Sequence, residues 1–181
     1  MKALYILLIG LLTPVFLLAD QNDPRLEDLF ADLRSETDVY RANTIAGQIW
    51  QIWFIHEDPQ ASGLMERGVQ QMNSNSVRAA LDTFDRLIAL KPDFAEAWNR
   101  RATIYYQIGE YDASLRDIAE VLKLEPFHFG ALSGRGLVYM GKEDYFMARS
   151  AFLTLLEVYP VMPGVKDNVE MLEQVLRNSA I

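Results

Sequence analysis

Residues 95–128 read AEAWNRRATIYYQIGEYDASLRDIAEVLKLEPFH. The polar turn Gly109-Glu110-Tyr111 divides this stretch into two parts, which predicts one complete helix-turn-helix unit. Pro126, near its end, has partners at Pro92 and Pro160, each 34 residues away. The unit is therefore expected to recur on both sides.

Four further sets of residues have the same 34-residue spacing. Within each set the residues are either all small or all large and apolar. The sets are Gly68, Ala102 and Gly136; Phe84, Ile118 and Phe152; Ala80, Ser114 and Ala148; and Ile88, Leu122 and Leu156. Small residues in the first set would let the two helices of a unit approach closely, with aromatic rings filling the space between helices. The pattern predicts three units, at residues 61–94, 95–128 and 129–162.

The period and the residue types resemble the tetratricopeptide repeat, a helical pair with an aromatic residue, a small residue and Tyr, followed by Ala, Phe and Pro. The second unit fits best, with Trp98, Ala102 and Tyr105 in the first three places. The first unit is the least typical, because it has Leu64 in place of Trp and Gln71 in place of Tyr. The resemblance implies an all-α fold, a right-handed α-solenoid of three helix-turn-helix units.

Two flanking segments do not follow the 34-residue pattern. Residues 20–60 contain two helical patterns, the second rich in Trp and Ile, and residues 163–181 contain a single apolar stripe. The end units of a solenoid must be covered by segments with a polar outer face. We therefore expect an N-terminal helical cap over residues 20–60 and a C-terminal capping helix over residues 163–181.

The first nineteen residues have the pattern of a secretory signal. Lys2 precedes the apolar run 3–18, and Ala19 precedes an abrupt change to polar sequence. We expect cleavage after Ala19. Because Leu17 is larger than the residue that signal peptidase prefers, a signal-anchor that keeps residues 3–18 in the membrane is the alternative. The protein is thus expected to be exported and periplasmic, or anchored in the membrane and facing the periplasm.

Composition excludes several classes of function. The 181-residue chain has a formal net charge of −8, which opposes binding to nucleic acid. It has no cysteine, so disulfides and thiolate nucleophiles are absent. Its two histidines, His56 and His128, are expected far apart, each as a surface or hydrogen-bonded side chain rather than a catalytic or metal-binding one. No spacing typical of a hydrolase, nucleotide, zinc or calcium site occurs.

We therefore expect no enzyme activity, no cofactor and no metal. A weak hydrolase using Glu96, Arg100 and Arg101 is the remaining enzymatic alternative. Residues 130–136, GALSGRG, look like a phosphate loop, but the repeat register places them inside a helix, where glycine would let another backbone come close.

Arg67, Arg101 and Arg135 also lie 34 residues apart. Such a ladder of guanidinium groups could bind carboxylates or phosphates. The interpretation that we favour is structural: each arginine lays its stem over a neighbouring unit and pairs with a local acid.

The resemblance also implies a binding surface. In tetratricopeptide proteins the first helices of successive units line a concave groove that binds peptides. The corresponding positions here are Met65, Val69, Met72, Asn99, Thr103, Tyr106, Ser133, Leu137 and Met140. We expect a protein or peptide partner on this surface, and a role as a non-enzymatic interaction module or scaffold in the bacterial cell envelope. Two alternatives remain: the N-terminal cap folds into the groove against some of these methionines, or the surface forms a homotypic interface in a self-assembling homo-oligomer.

Chaperone-binding members of the family hold a partner's C-terminal carboxylate with Lys, Asn and Arg. The same places here hold Met65, Val69, Arg100, Gly130 and Gly134, so Arg100 alone keeps the type of charge. The sequence therefore does not predict a carboxylate clamp.

Overall fold

The computed structural model describes residues 23–179, and the regular structure in this range is entirely helical. The helices of this range are α1 (Arg25–Ser35), α2 (Val39–Phe54), α3 (Pro59–Asn73), α4 (Val77–Leu90), α5 (Ala95–Gln107), α6 (Tyr111–Leu124), α7 (Phe129–Gly141), α8 (Tyr145–Val158) and α9 (Val165–Ser179). The predicted all-α solenoid of three helical pairs with flanking capping helices is confirmed. The expected signal at residues 1–19 lies outside the described range. Within that range, no helix is both long and apolar enough to cross a membrane.

The three pairs α3/α4, α5/α6 and α7/α8 pack in chain order, each helix against the next. Each pair lies in one of the three sequence units, although α3 begins two residues before residue 61. The early start has a local cause. The Asp58 carboxylate accepts hydrogen bonds from the backbone N–H groups of Gln60 and Ala61, and Pro59 occupies the first turn, where its missing N–H has no cost.

The turns inside the three pairs are alike in backbone conformation. Asn75, Gly109 and Glu143, again 34 residues apart, have positive φ angles of 55°, 79° and 61°. In each turn this residue donates its N–H to the carbonyl three residues earlier, and the next residue donates to the carbonyl five residues before itself. These two bonds are the Schellman motif that ends a helix with a left-handed residue. The sequence period therefore reflects a repeated backbone geometry as well as a repeated core.

Small residues bring the helices of a pair together, as the sequence predicted. A Cβ added to Gly68 would lie 2.5 Å from the ring of Phe84, and one added to Gly136 would lie 2.4 Å from the ring of Phe152. In the second pair, Ala102 and Ile118 occupy the same two places and are buried in one cluster. The smaller Ile118 leaves room for the methyl group that the phenyl rings exclude.

The N-terminal hairpin α1/α2 covers the inner face of the solenoid rather than the outer side of the first pair. Helix α2 contacts α5, and α1 contacts α8. Apolar side chains of the hairpin form one buried core with α7, α8 and α9, which includes Phe30, Leu33, Ile49, Trp53, Phe129, Leu132, Phe152, Leu155 and Leu172. The Tyr159 hydroxyl also donates a hydrogen bond to the Asn43 side chain in α2. The expected N-terminal helical hairpin is present, and its position is that of the alternative, in which it folds into the groove.

Candidate partner-binding cleft

Helix α2 occupies the part of the groove where α7 begins. The indole of Trp50 lies directly over Gly130, and a Cβ added there would be 2.7 Å from the ring atom Cη2. The Trp50 ring also meets Phe129 edge to face, with centroids 5.3 Å apart, and the guanidinium of Arg100 lies 5.5 Å from its centroid. Glycine at this position therefore lets an aromatic side chain of α2, not a backbone, approach the helix.

A buried polar cluster fixes α5 against α7 below this contact. The Glu96 carboxylate is fully buried and lies at the centre of the cluster. Its Oε2 accepts a hydrogen bond from Asn99 Nδ2 at 2.9 Å and lies 3.1 Å from His128 Nε2. Its Oε1 is 2.6 Å from Arg100 Nε, a distance that forms an ion pair, although the N–H is not aligned as a hydrogen bond. A buried carboxylate needs such partners, because desolvation disfavours its charge.

His128 joins this cluster to the hairpin. Its Nδ1 accepts the backbone N–H of Ala131, which caps the start of α7, so the proton lies on Nε2 and is directed at Glu96. The imidazole stacks on Trp53 of α2, with centroids 4.0 Å apart and planes 8° apart. Nearby, burial raises the pKa of the Glu125 carboxyl, although the backbone N–H of Phe127, which donates to this carboxyl, lowers it. Both histidines are hydrogen-bonded, as expected, since His56 accepts the Asp58 N–H.

Beside Trp50, an open cleft of about 290 Å³ remains between α5 and α7. We call it the α5/α7 cleft, and its lining residues are Trp50, Asn99, Ala102, Thr103, Tyr106, Gln107, Ser114, Ile118, Phe129, Gly130, Ser133, Gly134, Leu137 and Met162. None of these described residues carries a charge. Two hydroxyls in the lining are already used, because Thr103 donates to the Asn99 carbonyl and Ser114 to the Ala102 carbonyl.

The structure brings five of the nine candidate binding residues to this cleft: Asn99, Thr103, Tyr106, Ser133 and Leu137. The other four lie elsewhere. Met140 packs against the core that the hairpin shares with α7, α8 and α9. Met65 is fully buried in the core of the first pair, and Val69 and Met72 pack against the same core.

The sequence did not assign several residues of the cleft. Trp50 comes from the N-terminal hairpin, Met162 from the loop before α9, and Gly130 and Gly134 from α7. The glycines form an unusual run for a helix. The sequence does not indicate that the side chain of Trp50 packs directly over one of them. Nothing in the repeat pattern connects Trp50 to them, because the hairpin lies outside the pattern.

The residues of the enzymatic alternative do not converge. Arg101 pairs with two aspartates, Asp117 and Asp85, at 2.8 and 2.6 Å, instead of joining Glu96 and Arg100. Burial raises the pKa of Asp117 even though Arg101 lowers it. The favoured structural role of the arginine ladder is thus confirmed for Arg101. In the described range, no three His, Cys, Asp or Glu side chains are grouped as a metal site.

Comparison with known proteins agrees with this architecture. The family model described as tetratricopeptide repeat (TPR) matches residues 66–120 and 100–163. A TPR repeat-containing protein of Rhizobium etli is 38% identical over 152 residues, which are 84% of this chain and 74% of that protein. The chain belongs to the tetratricopeptide repeat family. A small glutamine-rich tetratricopeptide repeat-containing protein of Mycosarcoma maydis is 25% identical over 121 residues, and the matched part spans 34% of that protein.

Solved structures show the same fold at low sequence identity. The first TPR domain of Spaghetti (RPAP3), bound to the HSP90 peptide SRMEEVD, is 19% identical, with a TM-score of 0.63 over 65% of this chain and 94% of that chain. A double mutant of MamA RS-1 is 20% identical, with a TM-score of 0.58 over 80% of this chain and 82% of that chain. At these identities, the similarity concerns the fold alone.

The positions of the carboxylate clamp have other contacts in this TPR protein. Trp50 covers Gly130, and the cation of Arg100 is engaged by the buried Glu96. The remaining clamp positions, Met65, Val69 and Gly134, carry no charge. The described surface therefore lacks the charged groups of a carboxylate clamp.

Proposed function

We propose that this TPR protein is a non-enzymatic interaction module that binds a segment of a partner protein in the α5/α7 cleft. The observation that carries the proposal is the cleft, an uncharged hollow of about 290 Å³ left open beside α2 on the inner face. Concave sites with apolar walls and a few polar groups are the usual sites of ligand binding. Peptide binding by related folds supports it, since one structural neighbour is bound to the HSP90 peptide SRMEEVD and another to the HSP70 peptide SGPTIEEVD.

The proposal includes a place of action, the bacterial cell envelope. It rests on the signal-like pattern of residues 1–19 and on the similarity to a Rhizobium etli protein. N-terminal sequencing of the protein isolated from cells would test the signal, with Asp20 expected as the first residue. Retention of Met1 in a membrane fraction would favour the signal-anchor, and Met1 in the cytoplasmic fraction would refute export.

Site-specific crosslinking in intact cells tests the binding site. A photoreactive side chain replaces Tyr106, which lines the cleft, and in a control it replaces Glu170, which is exposed on α9. A discrete adduct with another protein, formed from position 106 and absent from position 170, is expected. Tyr106→Ala should weaken that interaction, and circular dichroism establishes that the variant remains folded. Equal crosslinking from both positions would contradict binding in the cleft.

Self-assembly through the same surface is the alternative, and light scattering over a range of concentrations distinguishes it. Trp53 has no free surface to offer to a second copy, because it is 2% exposed and stacked on His128. A mass that stays at one chain on concentration would support the adaptor, and a mass that rises to the dimer would support self-assembly.

A further inference from the structure

Two glycines on one face of α7 differ in what covers them. Gly130 lies under Trp50, which belongs to α2 of the same chain. Gly134 follows four residues later, about one helical turn along the same face. Among the described residues, a Cβ added at Gly134 would meet one side chain within 4 Å, Ile118, whose Cδ1 would be 3.5 Å away. The first position is therefore filled by the chain itself, and the second is open.

The chemistry of the open position suits an apolar group. Trp50, Phe129, Leu137 and Met162 supply its walls, and the described lining includes no cation. A carboxylate placed there would lose its hydration without gaining a charged partner. The net charge of −8 would oppose an anion further.

The size of the α5/α7 cleft suits a single large side chain with its adjoining backbone. A cavity of about 150 Å³ holds a benzene ring, and this cleft measures about 290 Å³. Gln107 is exposed at the cleft, and Asn99 is held in place by its hydrogen bond to Glu96. Such amides can bind the peptide backbone of a ligand, because each has donors and an acceptor.

We propose that this TPR protein recognises an internal segment of its partner through one uncharged apolar side chain laid over Gly134. The inference rests on the proposed function and specifies which kind of partner segment the cleft would bind. The same helix face shows how such a contact is made, since α2 lays Trp50 over Gly130 one turn earlier. The partner segment continues the interface that α2 has already formed. Gly134 and Trp50 accordingly determine specificity. Gly134 leaves room for the partner's side chain because it has no side chain of its own, and the ring of Trp50 forms one wall of the cleft around it.

The test fills the space and asks whether binding is lost. Gly134→Leu places a branched side chain in the cleft, and the 3.5 Å contact of its Cβ with Ile118 is an ordinary one, so the helix need not shift. Gly63→Leu is the matched control, because Gly63 is an exposed glycine within α3 whose added Cβ would meet nothing within 4 Å. Circular dichroism and thermal unfolding establish that both variants remain folded.

The probes are twelve-residue peptides. They are selected from a random display library for binding to the protein isolated from cells. Each is then synthesised with a fluorophore, once with a free C-terminus and once amidated. We expect the selected peptides to share one apolar residue and to bind equally well in both forms. Gly134→Leu should raise Kd at least about tenfold, and Gly63→Leu should leave it within about twofold. Gly134→Ala, which adds a single methyl group, should have an intermediate effect.

The possible results distinguish failure of this inference from failure of the proposed function. Peptides that need a free carboxylate, or that bind Gly134→Leu as tightly as the parent protein, would overturn the inference. If Tyr106 still crosslinked to a partner in cells, the proposed function would stand. Displacement of the peptides by a second copy of the chain would overturn the inference in favour of self-assembly. Failure to select any peptide, together with failure to crosslink from Tyr106, would overturn both.

Discussion

The close approach of α7 and α8 allows a quantitative test of the repeat packing. Adding a methyl group at Gly136 would place it 2.4 Å from the Phe152 ring, which is 1% exposed and cannot move freely. Overpacking of this kind costs about 1–3 kcal/mol, and the better helix propensity of alanine returns about 0.5–1 kcal/mol. Gly136→Ala should therefore lower the free energy of unfolding by up to about 2.5 kcal/mol, with about 1 kcal/mol as the central value.

The second pair shows how the loss can be reversed, because it holds Ala102 and Ile118 at the same two places. Phe152→Ile alone should cost about 1–3 kcal/mol through the void that it leaves. The double variant places the added methyl group in that void. It should be more stable than the sum of the two single changes by at least about 1 kcal/mol, a coupling typical of residues in contact.

Urea unfolding of the parent protein, both single variants and the double variant measures this coupling. In a thermal scan, each kcal/mol corresponds to roughly 2–4 °C for a chain of this size. Gly63→Ala is the control, since its added Cβ meets no atom within 4 Å, and it should raise stability by about 0.5–1 kcal/mol. If the two changes at the α7/α8 contact were additive within about 0.3 kcal/mol, the packing argument would be wrong.

Two further predictions concern the hairpin and the buried acid near it. Gly130→Ala should destabilise the protein by about 1–2 kcal/mol despite the better helix propensity of alanine, because the added methyl group forces Trp50 to move away. The tryptophan fluorescence should shift to longer wavelength as Trp50 becomes more exposed to water. An unchanged emission spectrum would contradict the predicted movement of Trp50. Burial raises the pKa of the Glu125 carboxyl in the folded protein above 4.5, so ionisation of this carboxyl opposes folding. The free energy of unfolding therefore falls as the pH rises from 4.5 through the folded-state pKa. Glu125→Gln should thus gain stability relative to the parent protein between pH 4 and pH 7 in urea unfolding, and parallel pH profiles would exclude this origin.

The repeat fold could be predicted from the sequence because its contacts are local and periodic. Gly68 meets Phe84 sixteen residues away, and Gly136 meets Phe152 at the same separation. The turn geometry recurs with the period as well, although its positive φ angles fall on Asn, Gly and Glu. Glycine at one of the three turns was a visible signal, and Glu143 gave none. A period therefore specifies the core, while the residue type at a turn can vary within the same backbone.

The position of the hairpin could not be predicted in the same way. Its contacts span large separations, such as the hydrogen bond from Tyr159 to Asn43, 116 residues apart, and they join a non-repeating segment to a repeating one. Which face of the solenoid receives the hairpin depends on the shapes of two surfaces, and periodicity contains no information about that fit. The glycine run of α7 was a partial signal, since it predicted that a backbone comes close to this helix, whereas the group that approaches, at Gly130, is the side chain of Trp50.

The hairpin has consequences for the binding face beyond the space that it fills. If α1 and α2 left the groove, Phe129 would lose the rings of Trp50 and Trp53 that pack on it, and Trp53 itself would become exposed to water; burying one such side chain contributes roughly 1.5–3 kcal/mol. A partner that displaced the hairpin would have to replace several of these contacts before gaining any affinity. A partner that binds beside it loses none of them and gains Trp50 as a wall. The energetics therefore favour a groove in which α2 is a permanent half of the site and the ligand occupies the other half.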